Sequence, residues 1–343
     1  MKILYMSCHV VLEYDELRIL NQLGYDITVI GGYLDPKNPH VDTRPRLNID
    51  SNKDRENKIH RLYNYNKNLG IPIEECSNTL TKEIVDDYDV IIIMHRMDWV
   101  VKNWDILKNK IVILRTIGQN LENNELLIRK YIQDGLKILR YSPKERELKN
   151  YAGEHGLIRF LKYKSDFKDR NIKNNCAITF GQNMYYRKNW CGLNVAEYVS
   201  KKVPFKLFGP GNEKLEFSGG RINYNQQLEE YASNSCYLYT GTFPAQYTLN
   251  FIEALIAGIP IVSIGKNLSQ QMVESYPFEV PYILDEVSGY SYDDMDKIVD
   301  TLNELIMDKK LNEEVSRKQS ELGIRLFSVE ENIHQWKDFL NNL

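Results

Sequence analysis

Short apolar runs alternate with segments of helical spacing along the whole chain. In the first half, the β-branched run at residues 88–94 is too apolar for a strand with one exposed face, so it predicts a buried parallel strand. Similar runs in the first half lie at residues 2–7, 26–31, 111–115 and 137–141. Residues 13–23 carry leucines on one helical face, and Gly24 follows where a helix C-cap favours a left-handed residue. The alternation predicts a doubly wound α/β domain.

The second half of the chain repeats this alternation. Its strand-like runs lie at residues 176–180, 205–208, 236–239 and 259–264. Helical segments separate these runs or close the chain, at residues 193–201, 226–233, 248–257, 292–307, 311–322 and 329–343. We therefore expect two α/β domains, over residues 1–165 and 174–325, with a linker in the charged stretch 161–173. Open parallel sheets bind ligands at the carboxyl ends of their strands, so chemistry is expected in a cleft between the domains.

Length and composition agree with two globular domains. The 343 residues suffice for two cores, and 43% hydrophobic and 27% charged residues are typical of a globular protein. The longest nearly uncharged apolar stretch, residues 249–265, is interrupted by Glu253 and is too short to span a membrane. We expect a cytoplasmic protein. Five scattered cysteines without a Cys-x-x-Cys pair predict reduced thiols and no structural zinc.

The net charge of −3 hides a local asymmetry. Residues 128–173 contain 13 Lys and Arg against six Asp and Glu. Such a run either faces an anionic partner or forms a solvated surface. Both interpretations stay open.

The most informative segment is residues 242–262. A strand is followed by a loop, a helix begins near Thr248, and Gly258 with Pro260 ends it before the next strand. The helix start offers unpaired N–H groups and a positive dipole end, which suit a diphosphate. Glu253 lies in an otherwise apolar row of this helix, so its carboxylate must either pair within the fold or bind a hydroxyl-bearing ligand.

Other common nucleotide and nucleophile motifs are absent from the sequence. No Gly-x-Gly-x-x-Gly follows the first strand, which argues against NAD or FAD. Neither a P-loop nor a Gly-x-Ser-x-Gly motif is present. With no clustered Asp pair at a strand end, a metal is not implied.

Residues 253–262, Glu-Ala-Leu-Ile-Ala-Gly-Ile-Pro-Ile-Val, resemble the donor-binding signature of GT-B glycosyltransferases, especially the retaining family 4. The resemblance implies that Glu253 holds the ribose of a nucleotide-sugar. It further implies that the backbone amides of Tyr247, Thr248 and Leu249 bind the diphosphate. The family has a second glutamate, which contacts the transferred sugar, where this chain has Ala245. Gln246 could contact sugar hydroxyls instead, and the donor sugar and the stereochemical outcome stay open.

Two further segments resemble the same domain of that family. Gly181 corresponds to a turn that precedes an Arg and a Lys, which implies that Arg187 and Lys188 neutralise the leaving diphosphate; solvated loop charges are the alternative. Gly209 and Pro210 fit the next strand-to-loop transition, near the nucleotide base. The last helix, residues 326–343, resembles the segment that crosses back to pack on the N-terminal domain.

The first domain is expected to supply the acceptor side. His95 directly follows the strand at residues 88–94, where family 4 enzymes commonly have a histidine near the transferred sugar, and Asp98 could reach the same space. If the enzyme inverts, the candidates for the general base are Asp98, His95, His9 and Glu13, in that order. Gly118 and Gln119 also follow a strand and suit recognition of hydroxyls or a base edge, although a plain polar turn is equally compatible.

The resemblance therefore implies a metal-independent, hexosyltransferase-like enzyme. It would move a sugar, more specifically from a UDP-sugar, to an acceptor hydroxyl, with the nucleotide-sugar as co-substrate and no other cofactor. The acceptor could be a glycan, a lipid or hydroxymethylated DNA, as in phage base-modifying glucosyltransferases. A non-catalytic nucleotide-sugar-binding protein and a GT-B epimerase are the alternatives. The oligomeric state stays open.

Overall fold

The computed structural model describes residues 1–32, 43–45, 47, 49, 52–70, 80–118, 120–270 and 276–343. The chain forms two compact units. Unit 1 comprises Met1–Phe160 and Ile333–Leu343, and unit 2 comprises Leu161–Asn332. The stretch 161–173, predicted as a linker, therefore belongs to unit 2, and most of the last helix belongs to unit 1.

Unit 1 is built on a six-stranded parallel sheet with the order β2-β1-β3-β4-β5-β6. The strands are β1 Lys2–Met6, β2 Asp26–Ile30, β3 Val90–Met94, β4 Ile111–Arg115, β5 Lys137–Arg140 and β6 Gly156–Leu157. The helices are α1 Val10–Gln22, α2 Lys53–Asn68, α3 Lys82–Val85, α4 Met97–Leu107 and α5 Glu122–Gln133. All five residues of β3 are fully buried, as the β-branched run predicts for a strand covered on both faces.

Unit 2 repeats the architecture with a second six-stranded parallel sheet, in the order β12-β11-β10-β7-β8-β9. The strands are β7 Asn174–Phe180, β8 Phe205–Phe208, β9 Ser218–Gly220, β10 Asn234–Tyr239, β11 Ile261–Ile264 and β12 Ser291–Tyr292. The first helices are α6 Met184–Arg187, α7 Leu193–Ser200, α8 Tyr224–Ser233, α9 Leu249–Ala257 and α10 Lys266–Gln270. The remaining helices are α11 Val280–Asp285, α12 Met295–Met307, α13 Lys309–Phe327 and α14 Val329–Asn341, which continues into unit 1.

Glycines end two of the helices as the sequence predicts. Gly24 follows α1 with φ +78°, and Gly258 is the left-handed C-cap of α9 with φ +81°.

The predicted fold class, two doubly wound α/β domains, is confirmed. None of the described helices combines the length and the apolar character that crossing a bilayer requires.

Candidate functional site

At the carboxyl edge of the unit 2 sheet, the turns after β7 and β8 are packed against each other. The backbone N–H of Gly181 donates to Phe208 O at 2.9 Å. Gly209 has φ +132°, and a Cβ at this position would overlap the carbonyl oxygen of Gly181. Only glycine allows this close approach.

Asn212 fastens the two turns together. Its side chain is fully buried, and its Nδ2 donates to Gly181 O at 2.6 Å and to Gly209 O at 3.0 Å. Its Oδ1 accepts from the N–H of Tyr185 at 3.3 Å. The glycines predicted near the nucleotide thus belong to one rigid double turn, with Pro210 half-buried beside them.

The third loop on this edge leads from β10 into α9. Thr248 is the N-cap of α9, and its side chain makes no capping hydrogen bond. Its own N–H donates to the buried hydroxyl of Tyr239 at 3.0 Å. Thr248 and Leu249 are half-buried, whereas Tyr247 is buried and packs against Phe327. The first turn of α9 therefore lacks a side-chain cap from Thr248 at the position where the sequence predicts diphosphate binding.

Glu253 is the centre of a buried polar cluster in unit 2. Only 2% of the residue is exposed, and its Oε1 accepts from Lys162 Nζ at 2.8 Å. Its Oε2 accepts from Gln227 Nε2 at 2.9 Å and from the Tyr231 hydroxyl at 3.3 Å. Of the two interpretations of Glu253, this structure shows pairing within the fold; ribose binding stays a prediction.

Ala245, where the resembled family has a glutamate, lines a cavity of about 30 Å³ together with Thr240, Phe243, Tyr276 and Phe278. The Thr240 hydroxyl donates to Cys191 O at 2.7 Å. The side chain of Gln246, predicted to contact sugar hydroxyls, is fully buried.

Arg187 and Lys188 lie at the end of α6, in the segment that follows the Gly181 turn. Arg187 is half-buried and Lys188 is exposed, with φ +48°. Lys188 lines an open depression with Tyr185 and Tyr186. The positive charges thus lie on the loops of the same sheet edge as Gly181.

In unit 1, His95 stands directly after β3 in a left-handed conformation with φ +64°. Its N–H donates to Arg115 O at 2.8 Å, and its Nδ1 is buried without a hydrogen-bond partner among the described residues. Burial, and secondarily the neighbouring Arg96, lowers the pKa of this imidazole. His95 is therefore neutral near pH 7, and an unusual backbone conformation of this kind often marks a functional position.

Asp98 is bound to Arg96 in a bidentate ion pair. Arg96 Nε and Nη2 lie 2.8 Å and 2.7 Å from the two carboxylate oxygens. These hydrogen bonds lower the pKa of Asp98. Because a carboxylate that holds its charge so firmly is a weak base, the geometry favours His95 over Asp98 as a proton acceptor.

The other predicted acceptor-side residues have local structural partners. His9 is the N-cap of α1, and its Nδ1 accepts from the N–H of Leu12 at 3.5 Å. Glu13 is fully buried and accepts from the N–H of Gly32 at 2.9 Å. Gly118 is buried with φ +93°, and Gln119 lies outside the described residues.

The basic run at residues 128–173 is described throughout, and seven of its 13 cationic side chains pair with carboxylates. They are Arg140, Lys144, Arg146, Lys149, Lys162, Lys168 and Lys173. Three more, Arg129, Lys164 and Arg170, donate to backbone carbonyl oxygens. Most of these cations thus have a partner in the structure, with Arg140 and Lys162 in buried ion pairs and Arg146, Lys149, Lys168 and Lys173 in pairs at the surface.

Two residues of the Glu253 cluster have no signal of their own in the sequence. Lys162 lies 91 positions before Glu253 and is one of many lysines in a basic run, and Gln227 lies in an ordinary helical segment.

Four cysteines, Cys8, Cys176, Cys191 and Cys236, are free. Among the described residues, no three His, Cys, Asp or Glu side chains are grouped so as to hold a metal ion.

No family model and no curated protein matches the chain. Solved structures match it over essentially the full length of both chains. HepE of Anabaena in complex with UDP-glucose superposes with a TM-score of 0.67 at 11% identity, covering 100% of both chains. An alpha-glucosyltransferase in complex with UDP and a 13-mer DNA containing a HMU base gives 0.61 at 11%, covering 99% of both chains. AviGT4, a glycosyltransferase involved in avilamycin A biosynthesis, gives 0.56 at 12%, covering 100% of this chain and 99% of that chain. The chain has the fold of these GT-B glycosyltransferases.

Proposed function

We propose that the chain is a glycosyltransferase that moves a sugar from a nucleoside-diphosphate sugar, specifically a UDP-sugar, to an acceptor hydroxyl. The observation that carries the proposal is the position of Glu253 in α9, one turn beyond a helix start that has no side-chain cap, in a fold shared with a UDP-glucose complex. A carboxylate accepts hydrogen bonds from the vicinal hydroxyls of a ribose, and a helix start binds phosphate.

The donor would be held by unit 2. The ribose would take the place of the Gln227 amide at Oε2 of Glu253, because Gln227 is the half-buried member of the cluster. The double turn of Gly181 and Gly209 would approach the base. Arg187, Lys188 and the start of α9 would stabilise the negative charge of the leaving diphosphate. In other enzymes a metal ion has this role.

In the transfer, the acceptor oxygen bonds to the anomeric carbon while the bond from that carbon to the diphosphate oxygen breaks. If the configuration inverts, the acceptor proton passes to the neutral imidazole of His95. If it is retained, as in family 4, the leaving diphosphate takes the proton and His95 positions the sugar. Holding donor and acceptor together contributes up to about 7–11 kcal/mol in favourable cases.

Calorimetric titration with UDP and UDP-glucose tests the donor site. We expect the wild type to bind both ligands. Binding should also stabilise the folded state, by about 2.7 kcal/mol when the ligand is at 100 times its Kd. Glu253→Gln, which keeps the shape of the side chain, should weaken UDP binding by at least about tenfold. Glu229→Gln is the control, since the Glu229 carboxylate lies at the surface and pairs with Lys168 and Lys173.

Release of UDP from UDP-glucose in the presence of glycan, lipid and hydroxymethylated DNA acceptors tests the transfer. A wild-type protein that binds UDP but releases none from any donor with any acceptor would favour a non-catalytic binding protein. Failure to bind any nucleotide would contradict the proposal.

A further inference from the structure

We propose that Lys162 is a positioning residue for Glu253: it holds the ribose-binding carboxylate ionised and in place without touching the nucleotide. This inference rests on the proposed donor site. It concerns a residue that the resemblance assigns no role.

Lys162 and Glu253 form a buried ion pair. The side chains of Lys162 and Glu253 are 4% and 3% exposed, and their charged atoms lie 2.8 Å apart. A carboxylate buried without a cationic partner tends to take up a proton, which turns one of its acceptor sites into a donor. The Lys162 ammonium favours the ionised form, in which both carboxylate oxygens act only as acceptors.

The two carboxylate oxygens of Glu253 have different partners. Lys162 binds Oε1, whereas Gln227 and Tyr231 from α8 bind Oε2. Because Gln227 is half-buried, Oε2 is the oxygen that a ligand reaches by displacing one amide. Lys162, by contrast, is 3% exposed and can stay in place when the ribose enters.

Backbone hydrogen bonds restrict the position of Lys162. The N–H of Lys162 donates to Phe327 O at 2.8 Å, and its carbonyl oxygen accepts from the N–H of Val329 at 3.0 Å. The backbone of Lys162 is thus fixed on both sides, to the segment between α13 and α14. A side chain that starts from a fixed backbone and ends in a buried ion pair restricts the rotamer of its partner.

The test compares the affinities for UDP and for 2′,3′-dideoxy-UDP, which lacks both ribose hydroxyls. We expect the wild type to prefer UDP by at least about tenfold, because the carboxylate loses its hydrogen-bond donors in the analogue. Lys162→Met should reduce this preference to within about twofold, whereas Lys162→Arg, which keeps the charge, should restore most of it. A merely structural role would weaken both ligands equally and leave the ratio unchanged.

Lys168→Met is the matched control, because Lys168 lies in the same segment but forms an exposed ion pair with Glu229. If Lys162→Met does not fold, Lys162→Gln replaces it, since the amide can still donate to Glu253 without the charge; its preference should fall as well. An unchanged ratio in the folded variant overturns the role of Lys162. A wild type that does not bind UDP would instead refute the donor site itself. Failure of the Lys162 role and failure of the donor site are therefore distinguishable.

Discussion

The imidazole of His95 makes the stability of the fold depend on pH. Its pKa is lowered in the folded protein, first by burial and then by Arg96, and unfolding restores the ordinary value near 6.5. As the pH falls through about 6.5, the unfolded chain therefore binds the proton first, and the folded state loses stability until the lowered folded pKa is passed. Above that window both states are neutral and the effect vanishes.

We expect the wild type to lose more unfolding free energy than His95→Gln between about pH 7.5 and pH 5.5. Urea unfolding at both pH values measures the difference. His155, whose pKa is also lowered by burial, is present in both proteins and cancels. A wild type that is no more acid-sensitive than the variant would show that the fold does not lower the pKa of His95.

His95 and Asp98 make a second residue-scale comparison, in activity. The carboxylate of Asp98 is already bound by two nitrogens of Arg96, whereas Nδ1 of His95 has no hydrogen-bond partner among the described residues. We expect His95→Gln to lower the rate of UDP release at least about tenfold more than Asp98→Asn does, because proton transfer by a positioned group contributes about 10²–10⁴-fold. UDP affinity should not change in either variant. A larger loss for Asp98→Asn would reverse the assignment.

At the scale of elements, the glycine that follows β8 and the glycine that ends β9 form a matched pair. Gly209 and Gly220 both have positive φ, but only at Gly209 would a Cβ meet backbone, the carbonyl oxygen of Gly181. Gly220→Ala should cost about 1–2 kcal/mol from the left-handed conformation alone. Gly209→Ala should cost more, since the packed turns must also separate, and it should weaken UDP binding. Urea unfolding and calorimetry check both; equal costs would show that the turns do not depend on their close approach.

The elements that the sequence predicts well are those whose signals are local. The run ending in Val90–Met94 has to be buried whatever surrounds it, and Gly258 has to end α9 because the next residues begin a strand. The two-residue strands β6 and β12 were not predicted, because so short a segment has no period. Their pairing depends on neighbours that lie far away in sequence.

At the scale of the whole molecule, the pairing of charged side chains also depends on neighbours that lie far away in sequence. The sequence places Glu253 in an apolar helix and leaves open whether it binds a ligand or a partner within the fold. It does not indicate that the partner is Lys162, because any lysine of the basic run fits the pattern equally. Arg140, likewise, counts as a surface charge in the sequence but is fully buried between Glu125 and Glu145. Long-range pairing of this kind is fixed by topology, which composition does not contain.

The paired state of the basic run bears on the acceptor. Cations that neutralise phosphates release the counterions condensed on the DNA, and most cations between residues 128 and 173 already pair with carboxylates or carbonyl oxygens of the chain, several of them at the surface. We therefore expect duplex DNA without modified bases to bind weakly, with a slope of log K against log salt shallower than about −2. Fluorescence anisotropy over a salt series measures the slope. A Lys168→Gln, Lys173→Gln double variant should leave it unchanged. A slope steeper than about −4 would contradict the prediction and favour a DNA acceptor. If the double variant then made this steep slope shallower, the basic run itself would contact the DNA. Its ion pairs would have to open for the lysines to reach the phosphates.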